Sequence, residues 1–329
     1  MKYYIGIDVG TSSTKALAYD EMGRLCCSAD HAYEIIERHP GFAEQDPHQW
    51  WEAVKGCIHK IIHEHRLPSE AIEGIGITGQ MHGTVLLNEE GDVIRDSIIW
   101  CDQRTILEPE ELTRKIGHQS IYEISGNIAQ GAFTASKLLW IKTHEPECFA
   151  KIHQILLPKD YIVFKLTGRF SQDVSDASGT QLLDIAQRKW SDTLVGGVGL
   201  RLDQLPPVYE SETIIGHILP HVASELGLSH RTIVIAGAGD QAAAALGNGI
   251  IEDELMSVNL GSSGVMFMSS KTPLSDPKGR VQSFCHALPN LWHTMGVTQG
   301  AGISLGWFKD SFYLDNQNGL MQLNDESQK

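Results

Sequence analysis

Apolar and polar positions alternate from the first residues onward. YYIGIDVG, STKALAYD and RLCCSADHAYE are three strand-like runs, separated by GTS and by DEMG, so the N-terminus reads as an antiparallel meander. The period then changes. In DPHQWWEAVKGCIHKIIHEHRL, Trp51, Val54, Ile58, Ile61 and Ile62 fall on one helical stripe, with Asp46 as N-cap and Pro47 opening the helix. IEGIGITG is an apolar run expected as a buried strand, and TVLLNEEGDVIRDSIIW is expected as a hairpin turning at Glu90-Gly91. Residues 105–155 read as mainly helical, and LPKDYIVFKLTG as a further helix closed by Gly168. A strand near 213–218, a helix near 220–226, the buried strand RTIVIAGAG and the Ala-rich helix DQAAAALGNG follow. Strand-rich sequence from Leu255 to Trp292 precedes a polar tail. Hairpins feeding helices make this an α/β chain, and not a purely parallel doubly wound sheet.

Composition narrows the partners. With 329 residues the chain has room for two domains. A net charge of −15 argues against nucleic acid as a partner. It leaves a small phosphorylated ligand open, because a metal ion and backbone N–H groups supply a local positive field. No run reaches the ~18 apolar residues of a membrane span, so no membrane partner is expected, and the first residues read as strand rather than signal peptide. Six cysteines are scattered without a CxxC pair, which fits a reducing cytoplasm.

One internal similarity carries chemistry. Residues 7–12 are Ile-Asp-Val-Gly-Thr-Ser, and residues 258–263 are Val-Asn-Leu-Gly-Ser-Ser. Each is a strand, a glycine and hydroxyl residues, then more strand, which suggests two related halves. Gly10 and Gly261 allow close backbone approach. Thr11, Ser12, Ser13, Ser262 and Ser263 offer hydroxyls, and successive N–H groups in such a turn make an anion nest. Asp8 is charged where Asn259 is neutral, as suits one carboxylate holding Mg²⁺ beside a polyphosphate. Ordinary hairpin turns are the alternative. There is no Walker loop and no Rossmann glycine fingerprint. Asp240 lies between a strand and a helix, with Gly237 and Gly239 clearing space around it; it is either a helix cap or a base for a substrate hydroxyl. Gln80, Met81 and His82 end the strand GITG between two glycines, where amide, thioether and imidazole suit a polyol; a structural histidine is the alternative. Asp102 and Arg104 follow the run IIW, as a local salt bridge or as substrate contacts.

Beyond these single motifs, IGIDVGTSSTKALAYD, EQDPHQWW, GITGQMHG, IIWCDQR, KLLWIKTHEPE, LLPKDYIVFKLTG, SDASGTQLLD, AGAGDQAAAALGNG, VNLGSSGVMF and FCHALPNLWHTMG follow one another in the order seen in FGGY carbohydrate kinases. The resemblance covers almost the whole chain and points to members that phosphorylate xylulose. It implies a two-domain, ribonuclease-H-like fold of the actin, hexokinase and Hsp70 type. Residues 1–247 would form the sugar-binding domain and residues 248–329 the start of an incomplete ATP-binding domain. It implies ATP and Mg²⁺ acting on a small-molecule sugar, with D-xylulose the first candidate and a homodimer possible. By the same resemblance, Asp8 would be the metal-side carboxylate, and Gly10, Thr11, Ser12 and Ser13 the first phosphate turn. Gly261, Ser262 and Ser263 would be the second. Met81 and His82 would contact the ketose together with Gln80, Asp102, Arg104 and Gln241. Asp240 would be the general base. Ribulose, gluconate or glycerol as substrate, or a sensor without catalysis, are the other readings. Gln241 stands where the resemblance calls for Asn, and Cys101 likewise replaces an Asn.

Overall fold

The alternation at the N-terminus becomes three paired strands in the computed structural model, which describes residues 1–261, 264–298 and 300–312. Strands β1 (Tyr3–Val9), β2 (Ser13–Asp20) and β3 (Leu25–Ala32) are antiparallel neighbours. Ile5, Ile7 and Val9 are buried on one face of β1, while Tyr4, Gly6 and Asp8 take the more open face, as period-2 geometry requires. Helix α1 (Pro47–His59) starts where expected: the Asp46 carboxylate accepts the His48 N–H at 2.9 Å. It lays Trp50, Trp51, Val54 and Ile58 in the core with the β1 side chains. Burial of each such side chain stabilises the fold by roughly 1.5–3 kcal/mol.

Strand β4 (Ile72–Gly79) runs parallel to β1. Helices α2 (Thr134–His144) and α3 (Pro158–Thr167) follow, the latter ended by Gly168 at φ +69°. Strands β5 (Ile214–His217), β6 (Ile233–Ile235) and β7 (Ala238–Gly239) complete the sheet. Its order is β5-β6-β4-β1-β2-β3, with β7 also paired to β4. An antiparallel meander continued by parallel strands is the expected ribonuclease-H-like arrangement. After β7 comes helix α4 (Asp240–Gly247).

The hairpin expected over 84–100 is only half present. Its turn forms: the Asn88 side chain accepts the N–H groups of Glu90 and Asp92, and Gly91 sits at φ +83°. The arms then keep only scattered links: one bridge, Leu87 to Val93, the Ile94 N–H on Leu86 O at 2.9 Å and the Thr84 N–H on Ile98 O at 3.3 Å. Val85–Leu87 pairs with Gln154–Leu156, and Ser97–Ile98 pairs with Glu44–Gln45. Both arms are buried, so distant partners replace the local ladder.

The last described elements are β8 (Met256–Leu260), β9 (Gly264–Ser270), β10 (Gln282–Cys285), β11 (Trp292–Thr298) and helix α5 (Gly302–Phe312). The four strands form an antiparallel sheet in the order β8-β9-β11-β10. Phe267, Phe284 and Met295 pack with Met81, Phe133, Ala245 and Ile250. Met256, Val258, Leu260 and Met266 of this sheet are exposed, as are Ile303, Leu305, Trp307 and Phe312 of α5. No helix among the described residues is long and apolar enough to cross a membrane.

Candidate active site

Three neighbouring strands end together. Val9 of β1 and Gly239 of β7 are both in register with Gly79 of β4, and both pairings are parallel. The residues just beyond these ends therefore converge: Gly10–Ser12, Gln80–His82 and Asp240. Carboxyl ends of parallel strands are where α/β sheets place ligands. The close approach fixes the residue types. A Cβ on Gly79 would lie 3.0 Å from the Val9 carbonyl oxygen, and one on Gly237, which sits at φ +76°, would lie 1.9 Å from the Ile77 carbonyl oxygen.

The first turn is held by its carbonyls. Gly10 O accepts the Tyr33 hydroxyl at 2.6 Å, Thr11 O accepts Gln45 Nε2 at 2.7 Å, and Ser12 O accepts the Tyr33 N–H at 3.2 Å. Trp100 Nε1 donates to Thr11 Oγ1 at 2.9 Å. Among the described residues, no acceptor takes the Thr11 or Ser12 N–H. A turn with inward carbonyls and free N–H groups is an anion nest. Ser13, expected in this turn, is instead the first residue of β2, where its carbonyl accepts the Gly10 N–H at 3.1 Å. Gly261 lies just past β8, with its carbonyl accepting the Gly302 N–H at 2.8 Å; Ser262 and Ser263 lie outside the described residues.

Asp8 and Asp240 line one cavity of about 650 Å³ with Thr78, Gly237 and Ala238. Burial, with the Asp8 charge adding to it, pushes the Asp240 carboxyl up to about 7. Burial likewise raises Asp8, against the opposing pull of Lys15. Asp240 is not the N-cap. It is the first residue of α4, after Gly239 in extended geometry, and its Oδ1 accepts the N–H of Gln241 at 2.7 Å. Asp8 Oδ1 and Thr78 Oγ1, adjacent in register, are buried without a partner. Asn259 lies on the exposed strand β8 and does not line this cavity.

Met81 packs against Gly239, where a Cβ would meet its side chain at 3.2 Å. His82 sits at φ +68°, with Nδ1 2.7 Å from the Gly179 carbonyl oxygen. A carbonyl only accepts, so Nδ1 carries the proton and Nε2 keeps its lone pair. Burial, then the Lys137 charge, pulls the ring down to about 3, and it stays neutral. Gln80 donates to Gln45 Oε1 at 2.7 Å and to Gly10 O at 3.4 Å, so it braces the turn.

Asp102 and Arg104 do not reach the cleft. Their side chains are 0% and 2% exposed and form a bidentate pair, with Arg104 Nη1 also 2.8 Å from Glu44 and its guanidinium 3.8 Å from the Phe42 ring centre. Of the two readings the sequence left open, the geometry is that of the salt bridge. Asp102 Oδ2 also accepts the Ala43 N–H at 2.6 Å, next to Glu44 and Gln45.

A second buried network supports Asp240 from behind. The Gly239 N–H donates to Ser175 Oγ at 3.0 Å, and Ser175 Oγ donates to Asp173 at 2.5 Å. Lys159 bridges Asp173 and Asp160 at 2.8 and 2.5 Å. Asp176 is buried beside them, neither of its oxygens has a hydrogen-bond partner among the described residues, and burial raises its carboxyl well above the usual carboxylate range. Sequence reasoning missed these residues and Gln45. Their signal was a cluster of polar residues, KD and SQDVSDAS, inside otherwise apolar stretches.

Residues 3–247 match the N-terminal domain of the FGGY family of carbohydrate kinases. The Escherichia coli xylulose kinase is 41% identical over 327 residues, covering 98% of this chain and 66% of that protein. A xyloylose kinase from Brucella ovis superposes with a TM-score of 0.90 at 40% identity, over 94% of this chain and 63% of that one. A gluconate kinase from Lactobacillus acidophilus gives 0.92 at 27% identity, over 98% and 65%. The chain spans just under two thirds of the length of these relatives. It belongs to the FGGY family of carbohydrate kinases.

Proposed function

We propose that the protein acts in ATP-dependent phosphorylation of a ketopentose, D-xylulose first, at its terminal hydroxyl. The convergence of the three strand ends on Asp8 and Asp240 carries this reading. Phosphoryl transfer asks for a phosphate grip, charge neutralisation and a base for the attacking hydroxyl. The Thr11 and Ser12 N–H groups supply the grip on this side. Asp240, poised near 7, takes the hydroxyl proton. Asp8 lines the cavity and has a buried oxygen without a hydrogen-bond partner among the described residues, which fits a hydrated Mg²⁺ that would neutralise phosphate charge when bound. Met81, His82 and Gln241 contact the sugar, His82 Nε2 accepting from a sugar hydroxyl. The likeness to proteins named xylulose kinase supports the choice of ketose over gluconate or glycerol. A division near residue 247, between a sugar-binding and an ATP-binding part, belongs to the same reading. Six unpaired cysteines and an ATP donor fit the cytoplasm.

The test is Asp240→Asn, followed by calorimetric titration with D-xylulose, D-ribulose, gluconate and glycerol, and by coupled ADP release. D-xylulose binds the wild type most tightly. The variant loses about 10²–10⁴-fold in turnover while its sugar affinity stays within a few-fold. A wild type that ignores D-xylulose, or a variant that turns over normally, overturns the proposal.

A further inference from the structure

Lys137 is an expensive residue where it stands. Its side chain is fully buried, in the first turn of α2, near the positive end of the helix dipole. Its one hydrogen bond is from Nζ to the His82 carbonyl oxygen, at 2.7 Å. Burial pulls the ammonium down to about 7, with the Asp102 charge favouring it and the Arg104 charge opposing it. A fully buried amine bonded to one neutral carbonyl costs stability whether charged or not, so its presence there calls for a compensating role.

The role is visible at the other end of that bond. His82 is a non-glycine residue in the left-handed region, a conformation that persists only when its surroundings impose it. The His82 carbonyl is gripped twice, by Lys137 Nζ and by Thr134 Oγ1 at 3.2 Å. The ring is fixed by its bond to Gly179 O and by contact with Phe133 and Phe284, at 5.0 and 6.2 Å between ring centres. Gly179 itself leaves no room for another rotamer partner: a Cβ there would lie 2.9 Å from the imidazole. Holding the carbonyl fixes ψ of His82, and on that locked backbone the Gly179 bond and the two phenylalanines fix the ring.

We propose that Lys137, seconded by Thr134, is a positioning residue that locks the left-handed backbone of His82 so that Nε2 is presented to a sugar hydroxyl. This rests on the reading of His82 as a sugar contact. Lys137 touches no substrate; it acts through His82 alone.

The experiment combines long-range ¹H–¹⁵N NMR of histidine-labelled protein with calorimetric titration of D-xylulose, on the wild type, Lys137→Met and Thr134→Val. The His82 signal is assigned with His82→Gln. In the wild type His82 shows one neutral tautomer, protonated at Nδ1. Lys137→Met mixes the tautomers and weakens D-xylulose binding about tenfold, and Thr134→Val does the same to a smaller extent. A folded Lys137→Met with the wild-type tautomer signal and unchanged affinity overturns the proposal. If Lys137→Met does not fold, an unchanged signal and affinity in Thr134→Val overturns it. If the wild type binds no D-xylulose while the tautomer signal still changes in Lys137→Met, the sugar reading falls and the positioning role stands.

Discussion

At the scale of single residues, Asp240 trades stability for chemistry. Its folded-state pKa is raised to about 7, so the folded protein binds this proton more tightly than the unfolded chain does. That contribution is fully present below the unfolded value of about 4 and is lost as pH rises through 7. Asp240→Asn removes the charge and keeps the shape. The variant is therefore expected to melt higher than wild type at pH 8, by about 1–2 kcal/mol after allowance for solvent screening, and to match it at pH 4. Paired melting curves at the two pH values check this; a variant no more stable at pH 8 than at pH 4, relative to wild type, refutes it. Asp8 and Asp240 stood out in the sequence as carboxylates at strand ends beside small residues, with a plain turn or a helix cap as the other reading, and the fold sets both on one cavity. Lys137 was not, because on an amphipathic helix a lysine reads as a solvated cation, and only the tertiary packing shows it buried. Asp102 and Arg104 left two readings open, since spacing cannot say whether a charged pair faces a ligand or itself.

At the scale of elements, the turn between β1 and β2 owes its shape to distant side chains. Gln45 is its keystone. The amide, 1% exposed, donates to Thr11 O and accepts from Gln80 Nε2 at 2.7 Å and from Trp50 Nε1 at 3.2 Å. Gln45→Leu keeps the volume but leaves a carbonyl and an indole N–H buried without partners. Each orphan costs roughly 1–3 kcal/mol, so the expected loss is about 2–4 kcal/mol, read by urea unfolding. Binding of tripolyphosphate, as a probe of the freed turn, is expected to weaken as well; full stability with undiminished tripolyphosphate binding contradicts the keystone role. The turn residues themselves stood out as a repeated glycine–hydroxyl pattern. The element that shapes them lay 34 positions away along the chain, beyond the reach of any local period. The broken hairpin at 84–100 fails for the same reason: both arms carry buried apolar residues, and their partners are chosen by tertiary contacts.

At the scale of the whole molecule, the second sheet seats its buried side against Met81, His82 and Phe133. Asn127 exchanges bonds with Ser283 at 2.7 and 2.9 Å, Ser178 Oγ accepts the Cys285 N–H at 3.0 Å, and Phe284 reaches the His82 ring. The strand-rich character of this stretch could be read in advance, but its docking could not, because contact between two sheets has no sequence period. Within the docked layer lie two fully buried histidines, His286 and His293, with ring centres 6.0 Å apart. Burial is the first cause lowering both. Their sign is opposite to that of Asp240. A histidine buried neutral is protonated more readily in the unfolded chain, so stability is lost as pH falls below the unfolded value of about 6.5. Phe267 stacks on the His293 ring at 4.3 Å between centres, so a phenylalanine fits the site. His293→Phe is therefore expected to leave stability at pH 8 nearly unchanged and to make the fall in stability between pH 8 and pH 5.5 measurably shallower. Chemical denaturation at the two pH values, followed by tryptophan fluorescence, measures the difference. Equal acid sensitivity in variant and wild type would remove His293 as a source of it.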